Sequence, residues 1–242
     1  MQGALDPADV ERIRARVVYE DAAVIAFDKP AGLSSQGGRI AAATLDDLLA
    51  AFARGSGPRP RLVHRLDRGT SGVILAARTK PAAAFLGRAL MGRRVKKTYL
   101  AIVTPGAPKP PQGRIQTPLA RTLQGREAHM RPCAADDPEA ESADTGYRTL
   151  ASGDEGALIE LRPHTGRMHQ LRVHMASIGR PIAGDARYGG ALMLRGEPVA
   201  RPMLHARSLV FPHPDGGERR IEAPLPDDMA QLARALGLMA EA

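Results

Sequence analysis

Leu62-Val63-His64-Arg65-Leu66-Asp67-Arg68-Gly69-Thr70-Ser71-Gly72 sets one carboxylate, Asp67, between two arginines and follows it with a small Gly-Thr-Ser-Gly turn. A carboxylate flanked by cations stays ionised and can act as a nucleophile or base, while the same cations can hold a polyanion against it. Val73-Ile74-Leu75-Ala76-Ala77 follows at once and reads as a strand. The turn would therefore hold the aspartate at a sheet end, where active-site loops concentrate. Taken alone, such an aspartate is more often one half of a surface ion pair with Arg65 or Arg68, so the surrounding chain has to decide.

Upstream, Val17-Val18-Tyr19 and Ala23-Val24-Ile25-Ala26-Phe27 are short β-prone runs that read as a hairpin, closed by the turn Lys29-Pro30-Ala31-Gly32. Thr44 precedes Leu45, Leu48, Leu49 and Phe52 at helical spacing, and the stretch from Gly55 to Pro60 breaks that helix. Downstream, a helix is expected from Pro81 to Leu90 with proline in its first turn, then a strand at Thr98–Val103. Pro105 to Gly113 reads as a loop, and Asp136 to Asp144 as an acidic surface loop. Gly146–Leu150 and Ala157–Leu161 read as paired strands. Met168, Leu171 or Arg172, Met175 and Ile178 recur at helical intervals, with Thr165 as the expected cap and Gly179 as the stop. Leu204–Phe211 with Arg219–Ala223 reads as a last hairpin, and Asp227–Leu236 as a final helix. Strands and helices mix without strict βαβ alternation. The expected fold class is α+β, a mixed, largely antiparallel central sheet flanked by helices and loops.

The 242 residues allow a sizeable core, and 43% hydrophobic residues is a globular composition. Thirty-four Lys and Arg against 26 Asp and Glu give a net charge of +8, which favours an anionic partner such as RNA over a membrane. Aromatics are 3% with no Trp, too few for broad base-stacking platforms. Cys133 is the single cysteine, which excludes an intrachain disulfide framework and a thiolate zinc site and suits a reducing compartment. Residues 1–16 lack the apolar stretch of a signal peptide, and no run of about 18 apolar residues exists. The expectation is a cytoplasmic protein, a monomer, with no membrane association.

His64-Arg65 followed by Leu66 departs from the protein-kinase catalytic loop, and neither an Asp-Phe-Gly triplet nor a Gly-Lys-Ser/Thr phosphate loop is present. His164, His169 and His174 fall every five residues, which spreads them around a helix, so no metal site is expected. The nine residues His64 to Gly72 instead resemble the catalytic signature of the RluA-type pseudouridine synthases. Further blocks agree in order and spacing: Asp28-Lys29-Pro30-Ala31-Gly32, Lys97-Thr98-Tyr99-Leu100-Ala101, the run Thr165 to His174, Pro181-Ile182-Ala183-Gly184-Asp185 and Leu204-His205-Ala206.

The resemblance covers about residues 17 to 228. It implies the pseudouridine synthase catalytic fold over residues 17–242, preceded by a 16-residue extension too short for a separate RNA-binding domain. It implies an enzyme that detaches uracil from ribose in structured RNA, ribosomal or transfer RNA, turns it over and rejoins it through carbon, without a cofactor. Asp67 matches the catalytic aspartate, Tyr99 the tyrosine that stacks on the target base, and Arg172 the cation that pairs with the aspartate. Leu171 matches the apolar residue near the base, and Arg65 the arginine that enters the space of the flipped nucleotide. His64, Thr70, Arg167 and His169, within the matched blocks, and the basic run holding Arg93, Lys96 and Lys97 complete the expected RNA-binding set. The chain departs from relatives at Met168, at Phe27-Asp28 and in the acidic stretch 136–141, which is expected to influence substrate choice. The alternative is a catalytically idle RNA-binding or ribosome-assembly protein on the same scaffold.

Overall fold

The computed structural model describes residues 5–37, 43–125, 127–189, 192–194 and 197–239. The expected extension, residues 1–16, contains α1 (Pro7–Arg14), capped by Asp6, whose Oδ1 accepts from the Ala8 N–H at 2.9 Å. Residues 1–4 of that stretch lie outside the described set. β1 (Val17–Glu20) and β2 (Val24–Lys29) form the expected hairpin, with Asp21 Oδ1 accepting from the Ala23 and Val24 N–H groups in the turn. Thr44 and Asp47 close a reciprocal capping box on α2 (Leu45–Leu48), which tightens into a 3-10 turn at Leu49–Phe52. β3 (Arg61–Leu62) and β4 (Ser71–Ala77) flank the Asp67 loop. α3 (Lys80–Met91) then starts where Thr79 Oγ1 accepts from the Ala82 N–H.

The chain continues through β5 (Lys96–Val103), β6 (Gln112–Ile115), β7 (Leu119–Gln124), β8 (Glu127–Pro132), β9 (Thr145–Ser152) and β10 (Ala157–Pro163). It ends through α4 (Gln170–Ser177), β11 (Met193–Leu194), β12 (Glu197–Pro198), β13 (Leu204–Pro212), β14 (Glu218–Glu222) and α5 (Asp227–Ala235). The stretch read as one catalytic domain is built from two compact units. Unit 1 comprises residues 1–97 and 206–224, and unit 2 comprises 98–205 and 225–242.

In unit 1 the sheet order is β1-β2-β4-β13, with β3 on β4 and β14 on β13, and every pairing with a defined register is antiparallel. All seven residues of β4 are buried. Val24, Val73, Leu75, Leu86, Leu209 and Phe211 form the apolar core on one face. Gly72 (φ +109) stands at the head of β4, where a Cβ would collide with the Ala206 backbone, so glycine lets β13 approach closely. In unit 2 the sheet order is β5-β10-β9-β6, again antiparallel, and Tyr99 on β5 lies opposite Leu161 on β10. The β7–β8 hairpin buries Leu119 and Met130 with Val173 of α4. The expected α+β architecture with antiparallel sheets and flanking helices is what forms.

Two expectations fail locally. Strands β3, β6, β7, β8, β11 and β12 have no counterpart in the sequence expectations, and α4 begins at Gln170 instead of just after Thr165. The Thr165 hydroxyl is committed elsewhere, accepting from the Asp144 N–H (2.9 Å) and donating to Gln170 Oε1 (2.7 Å). The Arg167 N–H also reaches Gln170 Oε1 at 3.0 Å, so residues 165–169 wind around the Gln170 carboxamide. His169 (φ +53) then turns the chain into the helix. Gly179 (φ +69) ends it as expected, and the Arg180 N–H returns to Met175 O at 3.0 Å.

Candidate active site

In unit 1 the loop bearing Asp67 is fixed at both of the aspartate's neighbours. The buried Ser35 hydroxyl donates to Leu66 O (2.7 Å) and accepts from the Leu66 N–H (3.0 Å), so one side chain takes both backbone polar groups of that residue. Arg68 O accepts from the Gly32 N–H at 2.8 Å, and Arg68 Nε donates back to Gly32 O at 2.9 Å. Lys29 is fully buried. Its Nζ donates to the carbonyls of Pro30 (2.9 Å) and Leu33 (2.8 Å) and lies 3.5 Å from Arg68 O, which stiffens the partner loop. Asp67 itself is half-buried, and its carbonyl accepts from the Thr70 N–H at 3.0 Å across the turn. The loop that carries the carboxylate is thus moulded on residues 29–35.

The other expected residues of unit 1 divide by exposure. Arg65, Arg93 and Lys96 are exposed and, among the described residues, have no carboxylate partner. Arg93 sits in the left-handed region (φ +55) just beyond α3. Lys97 is half-buried, and burial lowers its pKa. Thr70 is buried. His64 Nε2 accepts from the Leu75 N–H at 3.1 Å, and its pKa is pushed down to about 3 by burial of the ring and by the nearby Lys97 ammonium. His64 is therefore neutral and serves as a strut between the loop and β4. Lys and Arg outnumber Asp and Glu by 20 to 12 in unit 1 and stand at 14 to 14 in unit 2, so the net +8 resides in the unit that carries the Asp67 loop.

In unit 2 Tyr99 is 8% exposed on β5, while Leu171 and Arg172 are buried on α4. Arg172 forms a two-pronged ion pair with Asp185, Nε to Oδ2 at 2.6 Å and Nη2 to Oδ1 at 2.7 Å. Asp185 is 1% exposed, so the fork lies in a low-dielectric setting where its geometry is strongly held. The Tyr188 ring lies 5.0 Å from the Arg172 guanidinium carbon. Its hydroxyl bonds His169 Nδ1 at 2.7 Å and accepts from the Met130 N–H at 3.0 Å. The Asp185 carboxylate and the Tyr188 ring thereby help to orient Arg172, and the ring is itself anchored to β8 through the Met130 N–H. Arg167 is held by Glu141 at 2.6 Å, and Asp137 by Arg131 at 2.6 Å, so cations within unit 2 offset part of the acidic stretch. His174 lies between Thr145 Oγ1 (2.9 Å) and Thr117 O (3.0 Å), pointing its nitrogens into the fold.

Four residues of these arrangements had no role assigned from sequence: Ser35, Lys29, Asp185 and Tyr188. Lys29 and Asp185 lie in matched blocks, which was the available signal. Ser35 carries none, because its partner is 31 residues away. What the parts can do chemically is coherent: a rigidly mounted carboxylate, an oriented guanidinium, an aromatic face on a sheet and a concentration of positive charge.

A family model described as RNA pseudouridylate synthase matches residues 23–177. An uncharacterised RNA pseudouridine synthase of Zymomonas mobilis is 38% identical over 90% of this chain and 96% of its own length. A protein of Xanthomonas campestris described as ribosomal large subunit pseudouridine synthase D is 39% identical over 91% of this chain and 69% of its own length. Among solved structures, human RNA pseudouridylate synthase domain containing 4 superposes with a TM-score of 0.82 at 25% identity, over 97% of this chain and 98% of that one. The fold, the family model and the relatives agree with the resemblance carried by the His64 to Gly72 signature: this chain belongs to the RluA-type RNA pseudouridine synthases, enzymes that isomerise uridine in RNA.

Proposed function

We propose that Asp67 is the catalytic carboxylate, that Tyr99 supplies the face on which the target uracil rests, and that Arg172 is the cation of the reaction. The observation that carries this reading is the double clamp on Leu66 and Arg68, which mounts one carboxylate rigidly in the unit that holds all of the net positive charge. A target base must leave its stack before it can be detached and turned. Arg65 is exposed and long enough to enter the vacated space, and Leu171 offers apolar contact beside the base. Arg93 and Lys96, uncommitted to carboxylates among the described residues, take phosphates, which set affinity without reading sequence. Lys97, His64 and Thr70 support the loop and strand that present these groups, while Arg167 and His169 hold the approach to α4.

The substrate we infer is a structured ribosomal RNA, supported by relatives described as acting on the large ribosomal subunit. The protein works as a monomer in the cytoplasm. Among the described residues no helix is long and apolar enough to cross a membrane. Mapping pseudouridine across ribosomal and transfer RNA from cells with and without the protein tests the substrate. We expect loss of at least one site in the large-subunit RNA; a change confined to transfer RNA, or none, rejects it.

Ser35 gives a second test, of the mounting. Ser35→Ala leaves a buried Leu66 N–H and C=O without their partner, and the loop gains freedom. A displacement of about 1 Å at a reacting group can cost on the order of 100-fold. The expected result is kcat lower by about 10- to 100-fold with KM for RNA within about twofold. Ser35→Thr, which keeps the hydroxyl, should restore most of the loss, and exchange of the Leu66 amide should quicken in the Ala variant only. Equal kcat for Ser35→Ala and the parent would remove the clamp from the account.

A further inference from the structure

A cleft of about 360 Å³ on unit 2 has no part in the site described above. Its lining includes Lys109, Arg114, Arg180, Gln116, Thr117 and Tyr147, and no carboxylate. Unit 2 has no net charge, and eight of its described arginines are paired with carboxylates, Arg114 with Asp144 among them. Lys109, Arg121, Arg180 and Arg234 are its described cations outside such pairs, and two of these four converge on this cleft. Arg180 donates to Ala107 O (3.0 Å) and Gly179 O (2.8 Å), neutral acceptors that fix the guanidinium without cancelling its charge. A concave surface lined by one sign of charge focuses potential and gathers counter-ions. The cleft also holds an aromatic ring in a fixed pose. Tyr147 packs against Gly113, its cross-strand partner, where a Cβ would meet the ring at 2.7–3.1 Å, and its hydroxyl donates to Pro110 O at 3.3 Å.

We propose that this cleft is a second RNA-binding subsite, which takes a backbone phosphate between Lys109 and Arg180 with the adjoining nucleotide against Tyr147. Gln116 and Thr117 supply neutral donors and acceptors for sugar or base edges. The occupant rests on the RNA-modifying reading above, and it extends that reading to a strand lying beyond the target nucleotide. Ile178, at the cleft, is six residues along the α4 segment from Arg172, about 9 Å at ~1.5 Å per residue. A strand with ~3.4 Å rise per nucleotide covers that in about three nucleotides. Cations in such a cleft add affinity and salt dependence, and a stacked ring tolerates any base, so the subsite lengthens the footprint without choosing the uridine.

The test uses the full chain and the smallest transcript from which the wild-type protein releases tritium from carbon-5-labelled uridine. Its dissociation constant is measured across a series of potassium chloride concentrations. Each phosphate contact contributes roughly 0.7–0.9 to the slope of log affinity against log salt. Lys109→Ala should weaken binding about 3- to 10-fold at low salt and reduce the slope by about 0.7. Lys109→Glu should weaken binding further, as a charge effect and unlike a packing effect. Arg234→Ala, a control on α5 among the same unpaired cations, should change neither quantity. A wild-type slope for Lys109→Ala, or an equal loss for Arg234→Ala, overturns the subsite and leaves the enzyme's RNA chemistry standing. A wild-type protein that releases tritium from no transcript overturns the RNA reading and this proposal with it.

Discussion

Asp67→Asn is expected to fold as the parent does, to bind its RNA within about threefold of the parent's affinity and to release no detectable tritium from carbon-5-labelled uridine. Removing a group that reacts directly costs several orders of magnitude in related cases of covalent catalysis, and about 10³-fold or more is expected here. At ~1.36 kcal/mol per tenfold, that corresponds to at least about 4 kcal/mol of lost transition-state stabilisation. The fold should survive because the loop has several anchors that do not use the Asp67 carboxylate. Ser35 holds Leu66, Gly32 holds Arg68, and the turn is closed by the Asp67 carbonyl and the Thr70 N–H, which asparagine retains. Asparagine also matches the side chain in size, so RNA affinity, set mainly by cations and phosphates, should persist. Activity above about one tenth of the parent's in Asp67→Asn would remove Asp67 from the chemistry. A parallel fall in melting temperature or RNA affinity would instead make it a structural residue.

The elements legible in the sequence are those whose signal is local. The β1–β2 hairpin, the Thr79-capped helix α3 and the stop at Gly179 each follow from residues within a few positions of one another. The β7–β8 hairpin was not legible because few of its residues face a core. Leu119, Ala120 and Met130 are buried, while Leu123 is 67% exposed, so no period-2 alternation marks it. The start of α4 was misread for a related reason. Met168 and Ile178, counted as part of its apolar stripe, are each 36% exposed, and the true N-terminal device is a glutamine side chain folded under a five-residue turn. At the site, the matched blocks named Asp67, Tyr99 and Arg172 as candidates but not what holds them. Ser35 meets Leu66 across 31 residues and Arg172 meets Asp185 across 13, and no pattern of spacing along the chain encodes a contact that only folding creates.

Asp185→Ala carries the largest expected effect on stability. In the parent the Arg172 side chain is 10% exposed, its partner carboxylate 1%, and both oxygens of that carboxylate engage the guanidinium. Removing the carboxylate takes a two-pronged partner from a buried charge, and breaking such a buried pair typically costs about 3–5 kcal/mol. Asp185 Oδ1 also accepts from the Arg187 N–H at 3.2 Å, so the turn leading to Tyr188 loosens as well. For a chain of this size about 1 kcal/mol shifts the melting midpoint by roughly 2–4 °C, so a fall of about 6–20 °C is expected. Activity should fall further than stability explains, because Tyr188 covers one face of Arg172 but does not set the direction of its fork. Asp185→Asn keeps one acceptor oxygen and should recover part of both losses. The informative variant is Asp185→Ala combined with Arg172→Met. Removing the stranded cation should regain much of the lost stability while activity stays abolished, since orienting Arg172 is of use only while Arg172 is there to orient. A melting temperature for Asp185→Ala within about one degree of the parent would show that the fork is not what holds Arg172. Recovery of activity in the double variant would show that Arg172 takes no part in the reaction.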